Sequence, residues 1–290
     1  MRVLLTGSSG RIGRAIHARL SEEHSVIGID ERPAETTRVV ASVTDTARLR
    51  SALEGVDAVV HTAALHAPHV GVAGDADFES VNVRATASLV DLCLAAGVGK
   101  LVFTSTTALY GDASTLRGRA AWIDERTEPR PRTIYHRTKL RAEEIVKEAS
   151  TSGKLSSTVL RMSRCFPEPA NLMAVYRLHR GIDARDVAEA HRLALQDSPE
   201  EFRLFVVSHP TPFTRADLEA LWSDAPSVIR HRAPGLAHSM ETRGWHLPQS
   251  IDRVYCSDRA RTELSWRARY DYSEVLRALD QGSPTVLPPA

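Results

Sequence analysis

The sequence has almost no net charge, few cysteines and no long apolar run. Its 290 residues carry 37 lysines and arginines against 36 acidic residues, a formal charge of +1. The charges are interspersed without a basic stripe, so no nucleic-acid partner is expected. No stretch approaches the roughly 20 apolar residues of a membrane span, so no membrane partner is expected either. Val3, Leu4 and Leu5 make too short a run for the apolar core of a signal peptide, and no targeting segment is expected before the first strand. Cys93, Cys165 and Cys256 are odd in number and widely spaced, which fits neither a disulfide framework nor a zinc site. No cluster of His, Cys, Asp and Glu has metal-ligand spacing, and no metal is expected. These absences point to a reduced, cytoplasmic protein.

What the chain does have is alternation. RVLLTG (2–7), SVIGID (25–30), DAVVHTAA (57–64), KLVFTST (100–106) and STVLRMSR (157–164) are apolar on both faces, as buried parallel strands are, and RVVAS (38–42) adds a short one. Helical patterns cover 11–22, 46–54, 78–97 and 134–152 between them. This order predicts an α/β fold with a doubly wound parallel sheet. A helix at 184–196, a strand at 203–209, a helix from 214 and a last helix at 273–281 follow. Pro226, Pro234 and Pro248 mark a loop-rich region, and the tail SPTVLPPA is expected to be loose.

Directly after the first strand, TGSSGRIG places Gly7, Gly10 and Gly13 in G-x-x-G-x-x-G spacing at the start of a helix. Backbone N–H groups there, with the helix dipole, suit a pyrophosphate, and glycine lets it approach. The second strand ends in Asp30, whose carboxylate can accept from ribose hydroxyls and would repel a 2′-phosphate. That favours NAD over NADP, although Arg32 lies close enough in sequence to pair with the extra phosphate. By itself the turn also reads as a structural strand–helix junction.

TIYHRTKLRAEE holds Tyr135 and Lys139 one helical turn apart, so phenol and ammonium share a face. A neighbouring cation favours the phenolate, and such a tyrosine can accept the proton of a substrate alcohol. TSTTALYG places hydroxyls at the end of a central strand, where open α/β sheets bind ligands. Thr106 there could hold the reacting oxygen, or these residues could only cap strand and turn. His66 and His69, in LHAPHV, could line a substrate mouth or sit exposed in a loop.

TGSSGRIG, Asp30, HTAA (61–64), NVRAT (82–86), TSTTALYG and YHRTK, with RDVAEAHRLAL (185–195) and SIDRVYCSDRARTELSWRARYDYSEVLRAL (250–279), resemble the extended short-chain dehydrogenase/reductases of the NAD-dependent epimerase/dehydratase type. The resemblance implies a Rossmann-type domain over 1–165, with 183–210 returning to the sheet, and a small substrate-binding lobe from 166–182 and 211–290. It implies cofactor contacts at Gly7, Ser9, Gly10, Arg11, Ile12, Gly13, Asp30, Ser42, Val43, Ala63, Ala64, Asn82, Thr104, Tyr135, Lys139 and Cys165. Thr106, Tyr135 and Lys139 take the catalytic roles, Tyr135 as acid/base and Lys139 binding the nicotinamide ribose and lowering the tyrosine's pKa. Substrate contacts fall on His66, Ser105, Thr106, Tyr135 and Arg164. A homodimer through the helices at 78–97 and 134–152 is implied as well.

The chain departs from that family pattern in three places. Ser42 stands where an Asp usually meets the adenine, and Arg164 where an Asn usually follows the sixth strand. The long insertion that grips a nucleotide in sugar-nucleotide enzymes is missing between Arg161 and Asp186. That segment resembles uronate dehydrogenases instead, and the guanidinium of Arg164 suits a carboxylate, or else a surface ion pair. Thr107 follows Thr106, where dehydratases place an Asp–Glu pair. The expectation is therefore an NAD-dependent oxidoreductase acting on a hydroxyl of a small sugar or sugar acid. The alternatives are an epimerase with tightly bound NAD and a non-catalytic dinucleotide sensor.

Overall fold

The computed structural model describes residues 1–151, 153–197 and 202–289. Its strands are β1 (Arg2–Thr6), β2 (Ser25–Asp30), β3 (Val39–Val40), β4 (Ala58–His61), β5 (Lys100–Thr106), β6 (Ala121–Ile123), β7 (Ser156–Met162), β8 (Arg203–Val207) and β9 (Arg253–Tyr255). The helices are α1 (Arg11–Leu20), α2 (Thr46–Ala52), α3 (Asp75–Phe78), α4 (Ala85–Ala96), α5 (Ile134–Ser150), α6 (Ala170–Tyr176), α7 (Ala184–Gln196), α8 (Leu218–Ser223), α9 (Ala225–Arg232), α10 (Pro234–Thr242), α11 (Asp258–Glu263) and α12 (Tyr272–Asp280). Ser152, with which the expected helix 134–152 ends, and residues 198–201 and 290 of the expected domain ranges lie outside the described residues. No helix among the described residues is long and apolar enough to cross a membrane.

The chain divides into two compact units. The first comprises Met1–Leu109, Pro131–Arg161 and Val187–Phe205. Its seven-stranded sheet has the order β3-β2-β1-β4-β5-β7-β8. β1 pairs in parallel with β2 on one side and β4 on the other, with Val3 opposite both Val26 and Ala58. Leu4, Val59 and Leu101 are fully buried, as strands covered on both faces require. Each such side chain contributes about 1.5–3 kcal/mol by leaving water. Because strand order reverses at β1, a crevice opens beyond the carboxyl ends of β1 and β4, the usual ligand position in open α/β sheets.

The expected helix 78–97 is interrupted. Residues Glu79–Arg84 form a π-helix between α3 and α4, and the wider turn carries Asn82 inward. α5 starts cleanly because the Thr133 side chain caps it by accepting from His136 N. That start puts Tyr135 in the first turn and leaves Tyr135, Lys139 and Glu143 on the buried face.

The second unit comprises Tyr110–Arg130, Met162–Asp186 and the chain from Val206 onward. It packs Met173, Leu221, Ile229, Leu236, Met240 and Val275 into a core of its own, beside the parallel pair β6–β9. Asp186 pins its C-terminal part. The carboxylate accepts from Arg269 N (2.8 Å) and Tyr270 N (3.2 Å), while its carbonyl accepts from the fully buried indole of Trp266 (2.9 Å). Burial pushes this carboxyl up to about 6.

Two expectations fail in this unit. Pro226 and Pro234 do not mark loops but sit in the first turns of α9 and α10, where a missing N–H costs nothing. The tail is not loose: Val286 is buried, and Leu287 exchanges backbone hydrogen bonds with Glu168 and Ala170.

Candidate active site

The three glycines of the turn after β1 are needed for three different reasons. Gly7 has φ +72°, and a Cβ there would lie 2.5 Å from Thr62 Oγ1. A Cβ on Gly13 would lie 2.0 Å from Gly7 O, so α1 packs directly on the turn. A Cβ on Gly10 would meet only Gly7 O, at 3.4 Å, and otherwise open space. Gly10 is the residue preceding α1, and Arg11 opens the helix with a buried Nε that has no hydrogen-bond partner in the protein. Open space over Gly10 beside an unpartnered cationic donor at a helix start fits an anionic diphosphate. Ile12 is half-buried in the same turn of helix.

Asp30, at the end of β2, accepts from Ser9 N and Arg32 N, both at 3.0 Å, which ties the turn to the β2 end. Ser9 Oγ donates to Arg32 O and pairs with Thr37 Oγ1, so its hydroxyl braces the turn. Gly28 was not singled out in the sequence, yet a Cβ there would lie 1.8 Å from Thr36 O. A glycine inside a strand is the available signal for such a close backbone crossing. Val43 is buried, and the Ser42 hydroxyl pairs with Thr44 Oγ1 at 2.9 Å.

A second residue missed in the sequence, His61, anchors a directed chain of hydrogen bonds. Thr6 Oγ1 accepts from Thr62 N and Ala63 N, so its own proton goes to His61 Nδ1 (2.7 Å). His61 Nε2 therefore donates to Thr86 Oγ1 (3.0 Å), whose hydroxyl donates to Asn82 O (2.8 Å). Asn82 in turn clamps Leu65 through both of its backbone groups and donates to Thr138 on α5 (3.1 Å). Full burial holds the imidazole neutral, pushing it down to about 3. Ala63, Ala64 and His66 follow β4 and are half-buried; the His66 ring meets His69 edge-on.

β5 and α5 bring the catalytic candidates together. The Thr106 hydroxyl lies by the Tyr135 phenol and favours its ionised form, and it accepts from Ala108 N (3.1 Å). Lys139 Nζ donates to Thr104 O (2.8 Å) and lies 3.9 Å from the centre of the Phe103 ring. Burial pushes Tyr135 up to about 12, opposed by Thr106. Of the groups that shift the phenol, Thr106 and not Lys139 lowers it, and burial outweighs Thr106. Burial also pushes Lys139 down to about 7, opposed by the charge of Glu143.

The two hydroxyls before Thr106, on the expected cofactor residue Thr104 and the expected substrate residue Ser105, are engaged within the protein. His191 Nδ1 donates to Val187 O, so its Nε2 accepts from Thr104 Oγ1 at 2.7 Å. Ser105 Oγ donates to Glu143, which is also held by Arg161 in a buried ion pair with Nη2–Oε2 of 2.6 Å. Strand alternation puts the Thr104 and Ser105 side chains on opposite faces of β5.

In the second unit, Arg164 does not present a free fork. Its Nε and Nη2 bind Glu168 at 2.7 and 2.5 Å. Cys165 is buried beside it in sequence. A cavity of about 290 Å³ lies within this unit, lined by Tyr176, His179, Arg180, Met240, His246 and Asp252 among others. No group of three or more His, Cys, Asp and Glu among the described residues could hold a metal ion.

Residues 3–171 match the NAD dependent epimerase/dehydratase family. An L-arabinose 1-dehydrogenase (NAD(P)(+)) of Haloferax volcanii is 34% identical over 143 residues, covering 46% of this chain and 55% of its own. A dTDP-L-rhamnose 4-epimerase of Burkholderia thailandensis is 25% identical, covering 87% of this chain and 92% of its own. The chain spans about half or less of the first curated relatives it matches, 39% and 55% of their lengths. The crystal structure of a short-chain dehydrogenase/reductase superfamily protein from Agrobacterium tumefaciens with bound NAD superimposes with a TM-score of 0.72. It covers 97% of this chain and 100% of its own at 23% identity, a likeness of fold.

Proposed function

The chain belongs to the NAD-dependent epimerase/dehydratase family, and on that footing we propose that it oxidises or reduces a hydroxyl-bearing carbon of a small sugar or sugar acid. The observation that carries this reading is that Thr106, Tyr135 and Lys139 come together at the carboxyl end of β5, in the unit that also holds the glycine turn. NAD, when bound, supplies the hydride acceptor. Arg11, Ile12 and Gly13 at the start of α1 would hold its pyrophosphate over the open side of Gly10, with Gly7 and Ser9 shaping the turn. Asp30 holds the adenosine ribose with the lone pairs left over from Ser9 and Arg32. Ser42 and Val43 would contact the adenine, Ala63 and Ala64 would line the cofactor's path past β4, and Lys139 would hold the nicotinamide ribose.

Tyr135 takes the proton of the substrate hydroxyl, and Thr106 holds the reacting oxygen against the phenol. A buried phenol pushed up to about 12 is a poor base by itself. The ammonium of Lys139 offsets this by stabilising the phenolate as the proton arrives or leaves.

Substrate size is read from the second unit. Between Arg161 and Asp186 the chain builds one short helix, α6, in place of the long insertion that would grip a nucleotide. That favours one sugar ring over a nucleotide sugar. Since Glu168 occupies Arg164, a sugar carboxylate must displace an internal one, whereas a neutral aldose need not. A homodimer through α4 and α5 is part of the same reading.

The test is to offer free aldoses, free uronates and UDP-sugars with NAD or NADP and follow reduced cofactor by absorbance. Reduction with free sugars is the expected result, and a response to UDP-sugars alone would sink the small-substrate reading. Cofactor that copurifies, with product formed but no net reduction, would make the protein an epimerase. Cofactor binding with no turnover of any sugar would leave a sensor.

A further inference from the structure

The buried pair Glu143–Arg161 has no place in the mechanism above, yet it lies on the same face of α5 as the catalytic candidates. Tyr135, Lys139 and Glu143 stand at successive helical turns and are all buried. Glu143 cannot swing: Arg161 on β7 reaches it with Nε (3.0 Å) and Nη2 (2.6 Å), and Ser105 on β5 donates to it as well. As a stabilising device this would be a poor choice, because a buried ion pair is often no better than two apolar side chains of similar volume. Its position suggests another use.

Apart from Glu143, Lys139 is surrounded by uncharged groups. From β5 it meets the Thr104 carbonyl and the Phe103 ring, and from β4 the neutral His61. The π-helix and α4 bury only uncharged residues. On its own helix Tyr135 is a neutral phenol, which leaves Glu143 as the anion, with Arg161 on its far side.

We propose that Glu143, clamped by Arg161 and Ser105, is a positioning residue for the candidate site that keeps Lys139 in its ammonium form. Phenol, ammonium, carboxylate and guanidinium then form one buried column of alternating charge once the phenol ionises. This rests on Tyr135 and Lys139 being the catalytic pair.

The chain has only four lysines, Lys100, Lys139, Lys147 and Lys154, so their titration can be followed by NMR on isotopically labelled lysine, with Lys139→Met for assignment. In Glu143→Gln the Lys139 midpoint is expected to fall by at least about one pH unit, a tenfold change in its acidity. In Arg161→Met, which leaves the carboxylate and removes a cation, it is expected to rise. Opposite shifts are the signature of charge, since a packing role would move both variants the same way. Should Glu143→Gln fail to fold, the double variant Glu143→Gln/Arg161→Met removes both charges and is still expected to lower the midpoint, the nearer charge being the carboxylate. A Lys139 midpoint unmoved in Glu143→Gln, or lowered in both single variants, overturns the proposal. If the titration moves as expected but no sugar is turned over, the failure lies with the catalytic reading and not with Glu143.

Discussion

Gly10→Ala and Gly13→Ala separate a turn built for a ligand from a turn built for packing. A methyl at residue 13 would sit 2.0 Å from Gly7 O, with Gly7 C and Ser8 Cα at 2.9 Å. All three are backbone atoms, so α1 or the turn must move by about an ångström before the contact is tolerable. Overpacking of that kind costs about 1–3 kcal/mol, and a backbone collision belongs at the upper end. About 3 kcal/mol changes the folded-to-unfolded ratio by a hundredfold or more. At residue 10 the methyl meets one atom at 3.4 Å, and the backbone (φ −70°, ψ 162°) is open to any residue. The weaker cap and the stiffer unfolded chain act in opposite directions, so stability changes by less than about 1 kcal/mol. The same methyl points where a diphosphate would approach, and NAD affinity is expected to fall roughly ten- to hundredfold. Urea denaturation and fluorescence titration with NAD measure the two quantities separately. Normal NAD binding by Gly10→Ala would leave the turn purely structural. A Gly13→Ala protein as stable as its parent would refute the packing argument.

Tyr135→Phe removes only a hydroxyl whose partner Thr106 keeps its bond from Ala108, so the fold should lose about 0.5–1.5 kcal/mol. Turnover should fall by roughly 10²–10⁴, read as reduced cofactor formed, and full activity would rule out the phenol as acid/base. Asp30→Ala should weaken NAD by roughly ten- to hundredfold and shift preference toward NADP; an unchanged ratio of the two affinities would remove Asp30 from the ribose site. Burial pushes His61 and His179 down to about 3 and His191 to about 4. The unfolded chain takes up protons near 6.5 that the folded one refuses, so stability should decline as pH falls from about 6.5 toward 4. The slope is up to about 1.4 kcal/mol per pH unit for each histidine. Urea midpoints that stay level between pH 6.5 and 5 would contradict this.

The strands, the glycine turn and the Tyr135–Lys139 spacing were legible because each is a local pattern: apolar runs, three glycines before a helix, one helical turn. What stayed hidden depends on partners far away in sequence. His61 reads as one more strand residue until β1 and α4 place Thr6 and Thr86 on its two nitrogens. Glu143 reads as a solvated helix charge until β7 brings Arg161 to it. In TSTT four hydroxyls stand in a row, and it is packing against α7 and α5 that gives Thr104 its partner His191 and Ser105 its partner Glu143. The prolines misled for a different reason, since the same residue that breaks a helix interior also opens a helix.

The run of bonds from Thr6 through His61 and Thr86 to Asn82 can be read in only one direction, each group giving its proton to the next. Four segments of the first unit are thereby keyed like a lock whose pins fit in a single order. Substitutions that keep the hydroxyl, such as serine for either threonine, preserve the order. A group that can only donate, placed at Thr6 or Thr86, would have to push against a donor already there. Variation in natural sequences of this kind should therefore be confined at these two buried positions to residues that both give and accept a proton.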